Sequence, residues 1–118
     1  MMKTKPITVV ETTAFTRRAE KLLSAEAKVA LIDYLACNPE AGDEIEGTGG
    51  VRKVRFAAHG RGKSGGVRVI YYYYTDALPL YALLVYAKNE QADLSPEQRK
   101  AARVFVQTVK DRARGTSR

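Results

Sequence analysis

The chain has 118 residues, 45% hydrophobic and 28% charged, which is enough for one ordinary core and too few for two domains of usual size. It carries 20 Lys and Arg against 13 Asp and Glu, a formal net charge of +7, and its single cysteine, Cys37, excludes an internal disulfide. No run approaches the ~20 apolar residues of a spanning helix, and residues 1–20 lack the apolar stretch of a secretory signal, so the expectation is a cytoplasmic protein without membrane contact.

The charge is unevenly placed. Residues 1–50 hold six bases and eight acids, whereas residues 51–118 hold fourteen bases and five acids. Between Glu46 and Asp76 there is no acid, and Arg52, Lys53, Arg55, Arg61, Lys63 and Arg68 all lie there. A clustered positive field suits a polyphosphate partner. A solvated face explains the same charge without any partner.

In chain order, Ile7 to Thr12 is β-branched and weakly alternating, which predicts a strand. Thr13 is placed to cap a short helix carrying Phe15, Ala19, Leu22 and Leu23. Ser24 caps a second helix with Val29, Ile32, Leu35 and Ala36 on its apolar face, and Asn38-Pro39 ends it. Cys37 reads as a small buried hydrophobe in that helix.

Ala41 to Gly50 reads as an acidic, glycine-rich loop. Val51 to Ala58 reads as a strand with Lys53 and Arg55 on one face and Val54 and Phe56 on the other. His59 to Gly66 is a loop. Val67 to Tyr74 is a strand with Arg68, Ile70, Tyr72 and Tyr74 on one face. Leu80 to Lys88 is apolar almost throughout, as a central strand buried on both faces is. Ser95, Pro96 and Gln98 form the cap, first position and capping box of a last helix with Ala102, Phe105, Val106 and Val109 as its buried stripe. The expected fold is α+β: a small antiparallel meander with two N-terminal helices and one C-terminal helix on one face, in the order β-α-α-β-β-β-α. One domain spans 1–118, with its core at about 7–112 and a frayed tail at 113–118.

Gly60-Arg61-Gly62-Lys63-Ser64-Gly65 matches G-x-G-x-x-G. The dinucleotide fingerprint needs a helix after its glycines, and a β-branched strand follows here. A phosphate loop would need glycine at position 57, which is Ala57. A hairpin tip whose Arg61 and Lys63 reach a phosphate backbone fits better. One histidine and one cysteine give no metal-ligand spacing, and no cofactor is expected. His59 can titrate as a general acid or base, or serve as ordinary surface. Of Tyr71 to Tyr74, one alternating pair is expected in the core, while the other can stack bases beside Arg68.

The residues then resemble a family. Asn38-Pro39-Glu40-Ala41-Gly42-Asp43, Gly47-Thr48-Gly49-Gly50-Val51-Arg52-Lys53-Val54-Arg55, Gly65-Gly66-Val67-Arg68-Val69-Ile70-Tyr71-Tyr72 and Tyr86-Ala87-Lys88-Asn89-Glu90 follow one another as in the RelE/ParE superfamily of toxins, in its HigB-like branch. The resemblance covers about residues 7–110. It implies a toxin of a type II toxin–antitoxin system that enters the ribosomal decoding site and cleaves mRNA there, the 2′-OH attacking the adjacent phosphate without metal, so that translation stops. It implies a helix-turn-helix antitoxin of the HigA kind as partner, with the ribosome and mRNA.

Carried over by position, Lys53, Arg55 and Arg68 face the scissile phosphate and Lys88 falls in the segment after the fourth strand. Arg52, Arg61, Lys63, His59 and Asn89 are expected to contact RNA. Asn89 stands where the ribosome-dependent prototype has an arginine, and Ser95 where it has a tyrosine. Tyr72, Tyr74, Lys88 and His59 are therefore all candidates for the general base. Two other functions fit the same resemblance: a ParE-like inhibitor that binds DNA gyrase without cutting RNA, and an RNA- or ribosome-binding module without catalysis.

Overall fold

The computed structural model describes residues 6–57 and 66–115. Its elements run β1 (Val9–Glu11), α1 (Thr13–Leu22), α2 (Ala25–Cys37), β2 (Asp43–Glu44), β3 (Arg52–Phe56), β4 (Val67–Tyr72), β5 (Leu80–Ala87) and α3 (Pro96–Gly115). The strands form one sheet in the order β1-β5-β4-β3-β2. The β3-β4-β5 meander is antiparallel as expected. The sheet as a whole is mixed, because β1 joins β5 in parallel. Two helices intervene between β1 and the meander, which gives the chain the length a parallel return requires. The segment read as a loop before β3 contains β2, paired with β3 through Asp43 and Glu44.

Helices cover both faces of the sheet rather than one. On the first face, Phe15, Ala19 and Leu23 from the α1 side and Ala27, Leu31 and Leu35 of α2 pack on Val67, Val69 and Tyr71 of β4 and Leu80, Ala82 and Val85 of β5. On the second, Leu94, Ala102, Val106 and Val109 of the α3 region pack on Val51, Ile70, Tyr72 and Tyr86. The chain carries apolar residues on both sides of β4 and β5, so each side needs its own cover.

Local chemistry sets the ends. Thr12, not Thr13, caps α1. Its Oγ1 accepts from Phe15 N at 3.1 Å and donates to the carbonyl of Leu83 at 2.9 Å, tying the helix start to β5. Ser24 caps α2 as expected, its Oγ accepting from Ala27 N at 3.0 Å. The buried stripe of α2 is Ala27, Leu31 and Leu35 at four-residue spacing, with Ala36 beside it, whereas Val29 is 62% exposed. The small Ala27 lets the helix lie close to the sheet and turns Val29 outward. Cys37, at the end of this helix, is half-buried.

The capping box of α3 is complete. Gln98 Oε1 accepts from Ser95 N at 2.9 Å, and Ser95 Oγ accepts from Gln98 N at 3.1 Å. That helix runs on to Gly115, beyond the 112 boundary read from sequence. No glycine or proline interrupts it earlier, and Arg112 and Arg114 in its last turn suit the negative end of the helix dipole.

The β4–β5 pairing contains one irregularity. Ile70 pairs with Leu84 but Tyr71 pairs with Ala82, which leaves Leu83 as an extra residue. Leu83 and Leu84 both pack on the α3 side, while Val85 returns to the α1–α2 side and Tyr86 to the α3 side.

Candidate active site

The strand registers build one cationic face. Arg55 on β3 stands directly opposite Arg68 on β4, and Arg68 stands directly opposite Tyr86 on β5. Residues directly opposite in an antiparallel pair share a face, with Cβ atoms about 5 Å apart. Lys53, two residues before Arg55, lies on that face beside Ile70. Lys53, Arg55 and Arg68 thus come together on the α3 side of the sheet. They occupy the end of β3 and β4 that α3 leaves open, while Ile70 and Tyr72 lie beneath the helix.

Like charges placed directly opposite one another destabilise a sheet. The Arg55–Arg68 pair puts two guanidinium-bearing residues on neighbouring strands, and guanidiniums can donate charge-assisted hydrogen bonds to an anion. Arg55 is exposed and Arg68 half-exposed. Lys53 keeps 32% of its side chain exposed and donates from Nζ to Asp93 Oδ1 at 2.9 Å.

Tyr86 completes the face. Its ring is buried, and its hydroxyl donates to the carbonyl of Ala92 at 3.4 Å. Burial raises its pKa, while the Lys53 and Arg68 charges pull the other way, so the phenol lies within the field of both cations. Asp93 is held below the ordinary carboxylate range by the hydrogen bond from Lys53 and by its charge. Sequence reasoning placed Tyr86 in a family-like run and gave neither Tyr86 nor Asp93 a role in the site. The signal for Tyr86 was its place opposite Arg68, which becomes visible only once the register is known.

The remaining candidates divide. Lys88 and Asn89 are exposed in the turn that follows β5, at the end of the sheet that carries Arg68. Arg52 lies on the opposite face of β3 from Lys53 and Arg55. It donates to the carbonyls of Gly42 at 2.6 Å and Glu40 at 3.2 Å and pairs with Glu44 at 3.6 Å, so it secures the segment after α2 instead of joining the cation group. His59, Arg61 and Lys63 fall outside the described residues.

The tyrosine run splits into the two pairs read from alternation, Tyr71 and Tyr73 on the α1–α2 side and Tyr72 and Tyr74 stacked on the other, but the second pair does not lie beside Arg68. Tyr71 is fully buried on the α1–α2 side, its Oη accepting from Gly42 N at 2.7 Å. Tyr72 is 2% exposed beneath α3, four residues along the strand from Arg68, about 13 Å at strand rise. Burial raises the Tyr72 phenol, which disfavours it as a base at neutral pH. Tyr74 lies beyond the end of β4, stacked at 6.2 Å on Tyr72, with Lys110 Nζ 5.9 Å from its ring centre. Neither Tyr72 nor Tyr74 joins the cationic face, because the strand carries them under α3 and past it.

A separate groove of about 590 Å³ lies at that other end, lined by Tyr74, Leu78, Tyr81, Phe105, Val109 and Arg112 among others. Its aromatic and aliphatic walls suit apolar contact rather than phosphate. Among the described residues, no three His, Cys, Asp or Glu side chains are grouped so as to hold a metal ion, and no helix is long and apolar enough to cross a membrane.

The arrangement can therefore hold a phosphodiester against three cations on a rigid sheet face, with a carboxylate and a buried phenol beside them. The family model of the RelE toxin of the RelE/RelB toxin–antitoxin system matches residues 7–115, which takes in every strand and all three helices of this α+β fold; the chain belongs to the RelE toxin family.

Proposed function

We propose that the chain is a ribosome-dependent endoribonuclease of the HigB-like branch, which cuts mRNA in the decoding site and is neutralised in the cytoplasm by a helix-turn-helix antitoxin of the HigA kind. The observation that carries this reading is the directly opposed Arg55–Arg68 pair with Lys53 beside it. A protein that acts only by binding another protein has no need to surround a phosphate with three cations.

In this reading the RNA 2′-OH attacks the neighbouring phosphorus in line with the departing 5′-oxygen. The products are a 2′,3′-cyclic phosphate and a 5′-hydroxyl. Arg55, Arg68 and Lys53 bind the non-bridging oxygens and stabilise the added charge of the phosphorane. Fixed cations in a site shielded by the ribosome supply the electrostatic part of the acceleration without a metal. Holding attacking and leaving oxygens in line supplies the positional part. Lys88 and His59 are the candidate bases that remain in this reading, since Tyr72 and Tyr74 lie together away from the cationic face. Arg61 and Lys63 in the β3–β4 connection, and Asn89 after β5, extend contact along the RNA.

The test is incubation of the purified protein with translating ribosomes and a defined mRNA, mapping the cut by primer extension. A cut at the decoding-site codon that depends on ribosomes supports the reading. Loss of gyrase supercoiling with no cut under either condition replaces it with the gyrase-binding alternative. Ribosome binding with no cut replaces it with the non-catalytic module.

A further inference from the structure

The loop between β5 and α3 is held from several sides. Gln91 Nε2 donates to the carbonyl of Asp93 at 2.8 Å and to Gln98 Oε1 at 2.9 Å. The same Gln98 oxygen accepts from Ser95 N in the helix cap. The Tyr86 hydroxyl reaches the carbonyl of Ala92, and Leu94 is buried against α3. The backbone of Asp93 is thus fixed by the helix cap behind it and by β5 beneath it. Its carboxylate, 68% exposed, stands over the cationic face and takes the Lys53 ammonium.

An exposed ion pair of this kind does little for stability. It also places a negative charge where an anionic substrate must come. Its effect is on Lys53. A lysine is a point charge on a flexible four-carbon stem, and Lys53 is a half-exposed member of a site whose other cations are arginines with planar, pre-oriented heads. The ammonium has three donors. One given to Asp93 leaves two for phosphate oxygens.

We infer that Asp93 is a positioning residue that fixes the Lys53 ammonium on the cationic face for the scissile phosphodiester. The inference rests on the nuclease reading above. Asp93 weakens ground-state binding by its charge and strengthens the transition state through Lys53. Removing the carboxylate should therefore lower kcat and KM together. A residue that only kept the loop folded would reduce the active fraction, lowering apparent kcat with KM unchanged.

The experiment is a double-mutant cycle on full-length protein with ribosome-bound mRNA, comparing wild type, Asp93→Asn, Lys53→Ala and the double variant, with Asp93→Glu as the conservative control. Asp93→Asn should lose roughly tenfold in kcat while KM falls roughly threefold, as expected for coupled neighbours and one removed like charge. In the Lys53→Ala background, Asp93→Asn should change kcat no further, and Asp93→Glu should recover most of the rate. An effect of Asp93→Asn on kcat that persists without Lys53 would overturn the inference, because Asp93 would then act on the reacting phosphate by itself. A KM that stays fixed, or a kcat that does not fall, would overturn it as well.

A second arm separates this from failure of the nuclease reading: anisotropy binding of a short RNA with deoxyribose at the scissile position. Tighter binding by Asp93→Asn that remains in the Lys53→Ala background supports the removal of a like charge, and binding that is unchanged overturns it. A wild type that neither binds nor cuts RNA removes the nuclease reading, and the inference with it.

Discussion

The two faces of the sheet are built to different rules. Beneath α1 and α2 the packing is continuous and dry: Phe15, Leu31, Leu35, Leu80 and Val85 are fully buried, and Tyr71 is the one member of that cluster with a polar end, which is satisfied. The α3 face is divided. Its helical half is closed by Ala102, Val106 and Val109, and its other half carries Arg55, Arg68 and Lys53 in the open. One face carries the stability with nothing to bind, so the other can keep three like charges together.

The comparison can be broken or sharpened by mutation. Phe15→Ala on the dry face should lose about 3–5 kcal/mol in chemical denaturation, the usual cost of emptying a buried aromatic site. A loss below about 1 kcal/mol would show that this face does not carry the fold.

Arg68→Ala on the divided face should lower ribosome-dependent cleavage by about 10²–10³-fold, the range for one removed electrostatic stabiliser. Cleavage is compared per folded molecule, with the midpoint of unfolding measured alongside. Unchanged cleavage would remove Arg68 from the site.

Tyr71→Phe takes the acceptor from Gly42 N–H and leaves that buried donor unpaired, for a loss of about 1–3 kcal/mol with cleavage per folded molecule unaltered. A drop in specific activity would show that the faces are coupled.

The smallest effect concerns Tyr73, whose hydroxyl donates to the Asp76 carboxylate, which holds its pKa up to about 12. The folded pKa lies above the ordinary 10.0, so this contribution is whole below pH 10 and is lost as pH rises toward 12. Tyr73→Phe should flatten that part of the alkaline unfolding profile. An unchanged alkaline limb would show that the hydrogen bond does not persist in solution.

Much of the divided face was legible in the chain. Alternation put Lys53 and Arg55 together, and the third residue arrived because β3 and β4 are neighbours in an antiparallel meander. The Ser95–Gln98 cap was also readable, being a local pattern whose partners lie three residues apart. Helix placement was not: an apolar run such as Leu80 to Ala87 states that both sides are covered but not by what. The role of Arg52 was hidden for a related reason. Its charge counted toward the basic cluster, yet the parity of β3 turns it to the other face, where the carbonyls of Glu40 and Gly42 engage it. Tyr72 and Tyr74 were expected beside Arg68 because they share its parity, but parity fixes a face and not the distance along it. The pairing of Asp93 with Lys53 gave no sequence signal, since it spans forty residues.

The extra residue at Leu83 gives β5 something like a reading frame. Upstream of it the odd-numbered Tyr81 faces α3; downstream the even-numbered Leu84 and Tyr86 do. Deleting a single leucine there would remove the irregularity and leave Val85 and Tyr86 on the faces they now occupy, whereas one residue inserted between Leu84 and Val85 would exchange their destinations, sending a phenol into the dry core and a valine among the cations. The site beside Arg68 therefore depends on how many residues separate Leu84 from Tyr86 as much as on which they are, and a one-residue insertion there would do more damage than most substitutions along the strand.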